Sequence, residues 1–102
     1  MPAYIIAEIE VTDPEAYKKY TALTPDCITR HGGRFIVRGG NGETLEGTWS
    51  GRVVVIEFTD RAAAKRFYES ADYQEILPLR LAASKGRMIL VDGVTSPAPP
   101  PG

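Results

Sequence analysis

The chain has 102 residues, of which 43% are hydrophobic and 25% charged, with a formal net charge of −1. That length suits one domain, and the near-neutral balance speaks against nucleic acid or an anionic membrane, which both favour a strongly basic face. A single cysteine, Cys27, excludes an internal disulfide, and a single histidine, His31, leaves little for a zinc or haem ligand set within one chain.

The opening MPAYIIAEIE has no basic n-region, its apolar stretch is too short for a secretory signal, and no later run nears the ~20 apolar residues of a membrane span. The expectation is a cytoplasmic protein with no metal and no cofactor. Residues 3–11 alternate with period two. Ala3, Ile5, Ala7, Ile9 and Val11 form one apolar face, with Tyr4, Ile6, Glu8 and Glu10 on the other. Asp13 then offers an N-cap, Pro14 a first helical residue and Glu15 a charge suited to the positive end of the dipole. The spacing predicts a helix over 14–30 that buries Ala16, Tyr17, Tyr20, Leu23, Cys27 and Ile28, is bent or divided at Pro25, and stops at a left-handed Gly32.

GGRFIVRGG, residues 32–40, predicts a strand over 34–38, and 39–51 reads as a glycine-rich connection, long for a hairpin loop. RVVVIEF, 52–58, is the most strongly β segment. Asp60 caps a helix over 61–70 with Ala64, Phe67 and Tyr68 inward. Asp72 and Glu75 have capping-box spacing for a further segment over 73–84, interrupted by Pro78. RMILVDG closes with a strand over 87–92, both of whose alternating faces are apolar. The domain is expected over 1–94, and 95–102 is a proline-rich tail unable to bury itself.

This β-α-β-β-α-β order predicts an α+β, ferredoxin-like four-stranded antiparallel sheet with helices on one face, strands 1 and 3 central and strands 2 and 4 at the edges. Ile5, Ile9, Phe35, Val37, Val54, Ile56 and Phe58 belong under the helices. Tyr4, Ile6, Glu8, Ile36, Arg38, Val53, Val55 and Glu57 would share the opposite face, with Arg34 paired across from Glu57 and Arg38 from Val53. So much aliphatic surface predicts a homodimer packed sheet to sheet, with Arg34 and Arg38 either neutralising Glu57 and Glu8 inside it or resting at a wet rim.

Taken together, GGRFIVRGG, LEGTW, VVVIEF, FYESADYQEILPLR and RMILVDG resemble domain-of-unknown-function family thirteen-thirty, of the dimeric α+β barrel superfamily, over about residues 2–94. The positions that match its pattern are Gly32, Gly33, Arg38, Gly39, Gly40, Glu46, Gly47, Trp49, Glu57, Phe58, Tyr73 and Arg80. The resemblance implies a homodimeric barrel and no particular activity. The superfamily spans cofactor-free monooxygenases, haem-degrading enzymes, lactone isomerases and stress-responsive proteins, and fold does not carry function across it.

The candidate site residues each admit two readings. Arg38, Glu46 and Trp49 flank the glycine-rich loop and either close a pocket, with arginine holding a carboxylate and glutamate moving a proton, or clasp a dimer partner. Glu57 and Glu8 are either proton-transfer groups or neutralised by the nearby arginines. The Tyr17 and Tyr20 hydroxyls either hold or protonate a substrate between helix and sheet, or complete an aromatic core. His31 serves the helix dipole or catalysis, and Arg80 pairs with a carboxylate or points into the same pocket. Cys27 is expected buried and inert. Three functions remain open: a binder of a small organic molecule, acids among the options; a cofactor-independent enzyme of isomerase, lyase or monooxygenase type acting on a small organic acid; and a purely structural dimer.

Overall fold

A computed structural model of the chain describes residues 1–94; the proline-rich segment 95–102 lies outside the described residues. The elements are β1 (Ala3–Val11), α1 (Pro14–Arg30), β2 (Arg34–Arg38), β3 (Arg52–Phe58), α2 (Arg61–Glu69), α3 (Ala71–Ala83) and β4 (Ser84–Asp92). They build the ferredoxin-like arrangement: a four-stranded antiparallel sheet in the order β2-β3-β1-β4, with the central and edge strands as expected.

The core lies between the sheet and the helices. Ile5, Ala7 and Ile9 of β1 and Ile56 and Phe58 of β3 meet Tyr17, Tyr20, Cys27 and Ile28 of α1, Ala64 and Phe67 of α2, and Tyr73 and Leu77 of α3. Pairing of Ala7 with Met88 and Ile5 with Leu90 turns those β4 residues to the helices and leaves Ile89 and Val91 on the open face, which settles the face of the last strand.

Helix ends follow the local chemistry. Asp13 accepts from the Ala16 amide at 3.2 Å and Asp60 from the Ala63 amide at 2.8 Å, so each aspartate satisfies an amide that the first turn leaves free. At the end of α1 the Gly33 amide donates to Ile28 and the Gly32 amide to Thr29, a Schellman closure that needs the left-handed φ of 79° at Gly32. Several boundaries differ from expectation. Ser70, whose hydroxyl accepts from the Tyr73 amide, caps α3 in place of Asp72, and the helix continues through Pro78. Leu23 and Tyr68 are exposed, while Thr24 and Ala63 are buried in the faces where they were expected.

Two departures matter for function. First, α1 runs unbroken through Pro25. Proline has no N–H, so the carbonyl of Thr21, one turn back, loses its helical partner. Second, β2 contains a bulge. Arg34 faces Glu57 and Phe35 faces Ile56 as expected, but the register then slips, so that Val37 faces Val55 and Arg38 faces Val54. Ile36 is the extra residue. Beyond it the two faces exchange: Val37 goes to the open side and Arg38 to the helix side, the reverse of strict alternation.

Gly33 tests the packing at this corner. A Cβ there would lie 2.6 Å from Phe58 and 3.0 Å from Ile28, both core residues, whereas a Cβ on Gly40 meets nothing within 4 Å. Gly33→Ala should lower unfolding free energy by about 1–3 kcal/mol and Gly40→Ala should leave it within about 0.5 kcal/mol, read as urea midpoints. Equal effects would contradict the packing described.

Candidate ligand site between the helices and the sheet

The bulge delivers Arg38 to the mouth of a cavity. Its guanidinium lies 4.5 Å from the centre of the Phe35 ring, and its Nη2 donates to the Thr21 carbonyl at 3.4 Å, the oxygen that Pro25 leaves unpartnered. The second group at the mouth is Arg52, the first residue of β3, on the helix side through its pairing with Ile9. Its guanidinium sits over Tyr17 at 5.9 Å, and its Nη2 reaches the Arg38 carbonyl at 3.5 Å. Arg52 packs so closely on Gly39 that any Cβ there would collide with the guanidinium, and Gly39 holds a left-handed φ of 64°. The Nε of Arg52 is buried without a partner.

Behind the arginines the wall is aromatic and hydroxylic. Tyr17, Tyr20, Thr21, Thr24 and Tyr73 line it, and Ile9, Phe35, Val54 and Met88 floor it. The closed cavity has about 30 Å³ of free volume, room for about two waters at roughly 10–15 Å³ each, so anything larger must first displace the exposed Arg38. The Tyr20 and Tyr73 hydroxyls are 2.8 Å apart. Arg80 of α3 lies beside them with 6% of its surface exposed, its Nε unpartnered. Burial by itself would lower the pKa of Arg80, but the oxygens of Tyr73 and Tyr20 reverse that and leave it raised. Burial, reinforced by Tyr73, pushes the Tyr20 phenol far above its ordinary range, and burial also raises Tyr17 against the opposing charge of Arg52. Both phenols therefore stay protonated at neutral pH.

No carboxylate among the described residues forms an ion pair with Arg38, Arg52 or Arg80. A buried guanidinium without a counterion is unfavourable, so this region is electrostatically incomplete.

The other expected site residues do not join it. Glu57 is on the open face, where Arg34 donates to it at 2.7 Å and the Tyr4 hydroxyl at 3.2 Å; the arginine bond, ahead of the other contributions, holds its carboxyl below the usual range. Glu8 is paired with Arg87 at 3.2 Å, not with Arg38. Glu46 and Trp49 line a groove of about 490 Å³ under the loop, together with Arg52 but without Arg38, so the expected set of three is split. His31 caps the end of α1 and meets Asp72 at 3.0 Å, a carboxylate that also accepts from Arg30 at 3.2 Å. Cys27 is buried beside them with its thiol pKa raised by burial, and the ligand atoms of Cys27, His31 and Asp72 lie within 4.8 Å of one another. This cluster ties the end of α1 to the start of α3.

Residues 2–94 match the family described as Domain of unknown function (DUF1330). The chain belongs to that family. No curated protein matches it. Among solved structures, the DUF1330 chain is similar to the RPA0582 protein of unknown function from Rhodopseudomonas palustris, at 21% identity over 93% of this chain and 84% of that one, with a TM-score of 0.75. It is also similar to a dimeric ferredoxin-like protein of unknown function from Jannaschia sp. CCS1, at 10% identity over 91% and 100% of the two chains and a TM-score of 0.72. A third is SnoaB, a cofactor-independent oxygenase from Streptomyces nogalater, at 18% identity over 94% and 96% and a TM-score of 0.65. These likenesses establish the fold. No helix among the described residues is long and apolar enough to cross a membrane.

Arg52 is the site residue that sequence reasoning missed. Its signal was parity: it shares its strand face with Val54 and Ile56, which were already assigned to the helix side.

The clamp at Asp72 sets an acid dependence. Its hydrogen bond with His31, aided by its own backbone amide and by Arg30, lowers its pKa from 3.8 to about 2. In that interval the unfolded chain binds the proton and the folded one does not, so the clamp's contribution is present above pH 3.8 and is lost as pH falls through about 2. Urea midpoints measured across that range should fall more steeply for the natural protein than for Asp72→Asn; parallel curves would contradict the clamp.

Proposed function

We propose that this protein is a homodimeric binder of small organic acids, which it takes up between α1, α3 and the sheet. The observation that carries this reading is the convergence of Arg38 and Arg52, neither ion-paired among the described residues, at the mouth of a cavity with an apolar floor. Their planar forks suit bidentate contact with a carboxylate, and an anion would supply the charge the region lacks. Arg38 is the movable member. Its long bond to Thr21 is a small loss when it turns from the closed cavity to a ligand.

Binding without turnover is the simpler form of this function. None of the described lining residues is a carboxylate or an imidazole, so there is no proton-transfer pair of the usual kind beside the ligand. Of the candidate acid–base groups, the tyrosines alone line the cavity: Tyr17 and, next to Tyr73, the Tyr20 hydroxyl. The cofactor-independent enzyme is the second reading, favoured by that hydroxyl, with SnoaB as a fold relative that carries such a chemistry.

The homodimer is supported by the open face of the sheet. Ile36, Val37, Ile89 and Val91 are exposed there, and the glutamates set among them, Glu57 and Glu8, are paired with Arg34 and Arg87. A second copy would cover the aliphatics without stranding Glu57 or Glu8. The reading includes a cytoplasmic location, where a lone thiol such as Cys27 stays reduced.

A thermal-shift series with propionate, pentanoate and benzoate should raise the melting temperature, by a stabilisation near 2.7 kcal/mol once the acid stands at about a hundred times its Kd. Benzamide and matched sodium chloride should not. Arg38→Met should fold and lose at least about tenfold in affinity, and sedimentation should give a dimer for both proteins. Equal shifts in Arg38→Met, or shifts reproduced by chloride, would overturn the anion site; a monomer at micromolar concentration would overturn the dimer.

A further inference from the structure

The inner wall of the cavity constrains the ligand at its other end. Arg80 can only donate hydrogen bonds, and it lies buried beside the Tyr73 hydroxyl with no carboxylate partner among the described residues. Tyr73 and Tyr20 meet at 2.8 Å. Two hydroxyls carry two protons, and only one of these can lie between the oxygens. A guanidinium donating to the Tyr73 oxygen would turn the Tyr73 proton towards Tyr20. The Tyr20 proton is then the free one, and Tyr20 lines the cavity. Both tyrosines line the cavity, and in this arrangement Tyr20 is the one with a proton to offer, each group polarising the next from Arg80 through Tyr73.

Resting on the anion-site reading above, we infer that the ligand is an oxo acid: its carboxylate is held by Arg38 and Arg52, and its carbonyl oxygen accepts from the Tyr20 hydroxyl. A carbonyl oxygen accepts and does not donate, which matches a lone donor better than an alcohol does. The two ends are set apart along one wall. Arg52 stacks over Tyr17, the Tyr17 and Tyr20 ring centres are 5.5 Å apart, and Tyr20 leads on to Tyr73 at 6.4 Å. Between them the floor of Ile9, Val54 and Met88 is apolar, so the ligand carries its two oxygen groups at opposite ends of a short hydrocarbon body. Tyr20 thereby becomes the residue that distinguishes ligands, and Tyr73 and Arg80 are positioning residues acting through it.

Matched acids measured by calorimetry on the full chain test this. Levulinate is set against pentanoate, and para-acetylbenzoate against para-ethylbenzoate, so that each pair differs at the carbonyl. In the natural protein at least one oxo acid should bind about tenfold more tightly than its partner, the effect of one well-placed hydrogen bond. Tyr20→Phe should erase that preference while leaving the oxygen-free acid within about twofold. If Tyr20→Phe does not fold, Tyr73→Phe serves, and should reduce the preference with the oxygen-free acid again unchanged. Equal binding within both pairs, or a preference that survives Tyr20→Phe, would overturn the oxo-acid inference and leave the anion site standing. Failure of every acid to bind would remove the anion site, and this inference with it.

Discussion

One extra residue in an edge strand decides what this sheet presents to its helices. Without the bulge at Ile36, Arg38 would share a face with Arg34, and both would look away from the core. With it, the strand begins with an arginine on the open side and ends with one on the helix side. β2 pairs only with β3, so the slip is confined to one ladder, which is why an edge strand can hold it at low cost. Pro25 completes the arrangement. By leaving the Thr21 carbonyl without a helical donor, it creates an acceptor where the re-aimed guanidinium arrives.

The two faces that result differ in their electrostatics. On the open side Glu57 is paired with Arg34 and Glu8 with Arg87. These pairs are partly exposed and contribute little to stability on their own, but they neutralise the two glutamates set among the aliphatics. On the helix side Arg38, Arg52 and Arg80 gather around tyrosines with no carboxylate among the described residues to balance them. Tyrosine oxygens soften the burial of a guanidinium without neutralising it. The sheet thus separates a face whose Glu57 and Glu8 are paired within the chain from one whose arginines have no carboxylate partner among the described residues, the division on which the proposed dimer and ligand site rest. The family and the fold relatives are compatible with this division and assign no ligand.

Much of this was legible in the residues. The caps at Asp13 and Asp60, the left-handed stop at Gly32, the strand order and the buried sets of β1 and β3 follow from local chemistry and period-two patterning. What the pattern concealed was the bulge. RFIVR alternates without fault, and nothing in five residues marks where a register will slip, because the slip depends on the partner strand and on the helix above it. Reading each strand alone passed over Arg52, although its parity with Val54 and Ile56 marked its face, as the pairing with Ile9 bears out. It also kept Glu46 and Trp49 grouped with Arg38, since their separation arises in the course of the loop. Prolines misled in the opposite direction. Pro25 read as a bend or a division and Pro78 as an interruption, yet both helices continue through them.

The most direct test of the central claim is the response of individual arginines to a bound acid. Side-chain Nε–H resonances of nitrogen-labelled arginine, followed while benzoate is added, report each guanidinium separately. The account predicts that the Arg38 and Arg52 signals move together and saturate, while those of Arg34 and Arg87 on the open face stay in place. Movement of Arg34 and Arg87 instead, or of none of the four at saturating acid, would contradict it.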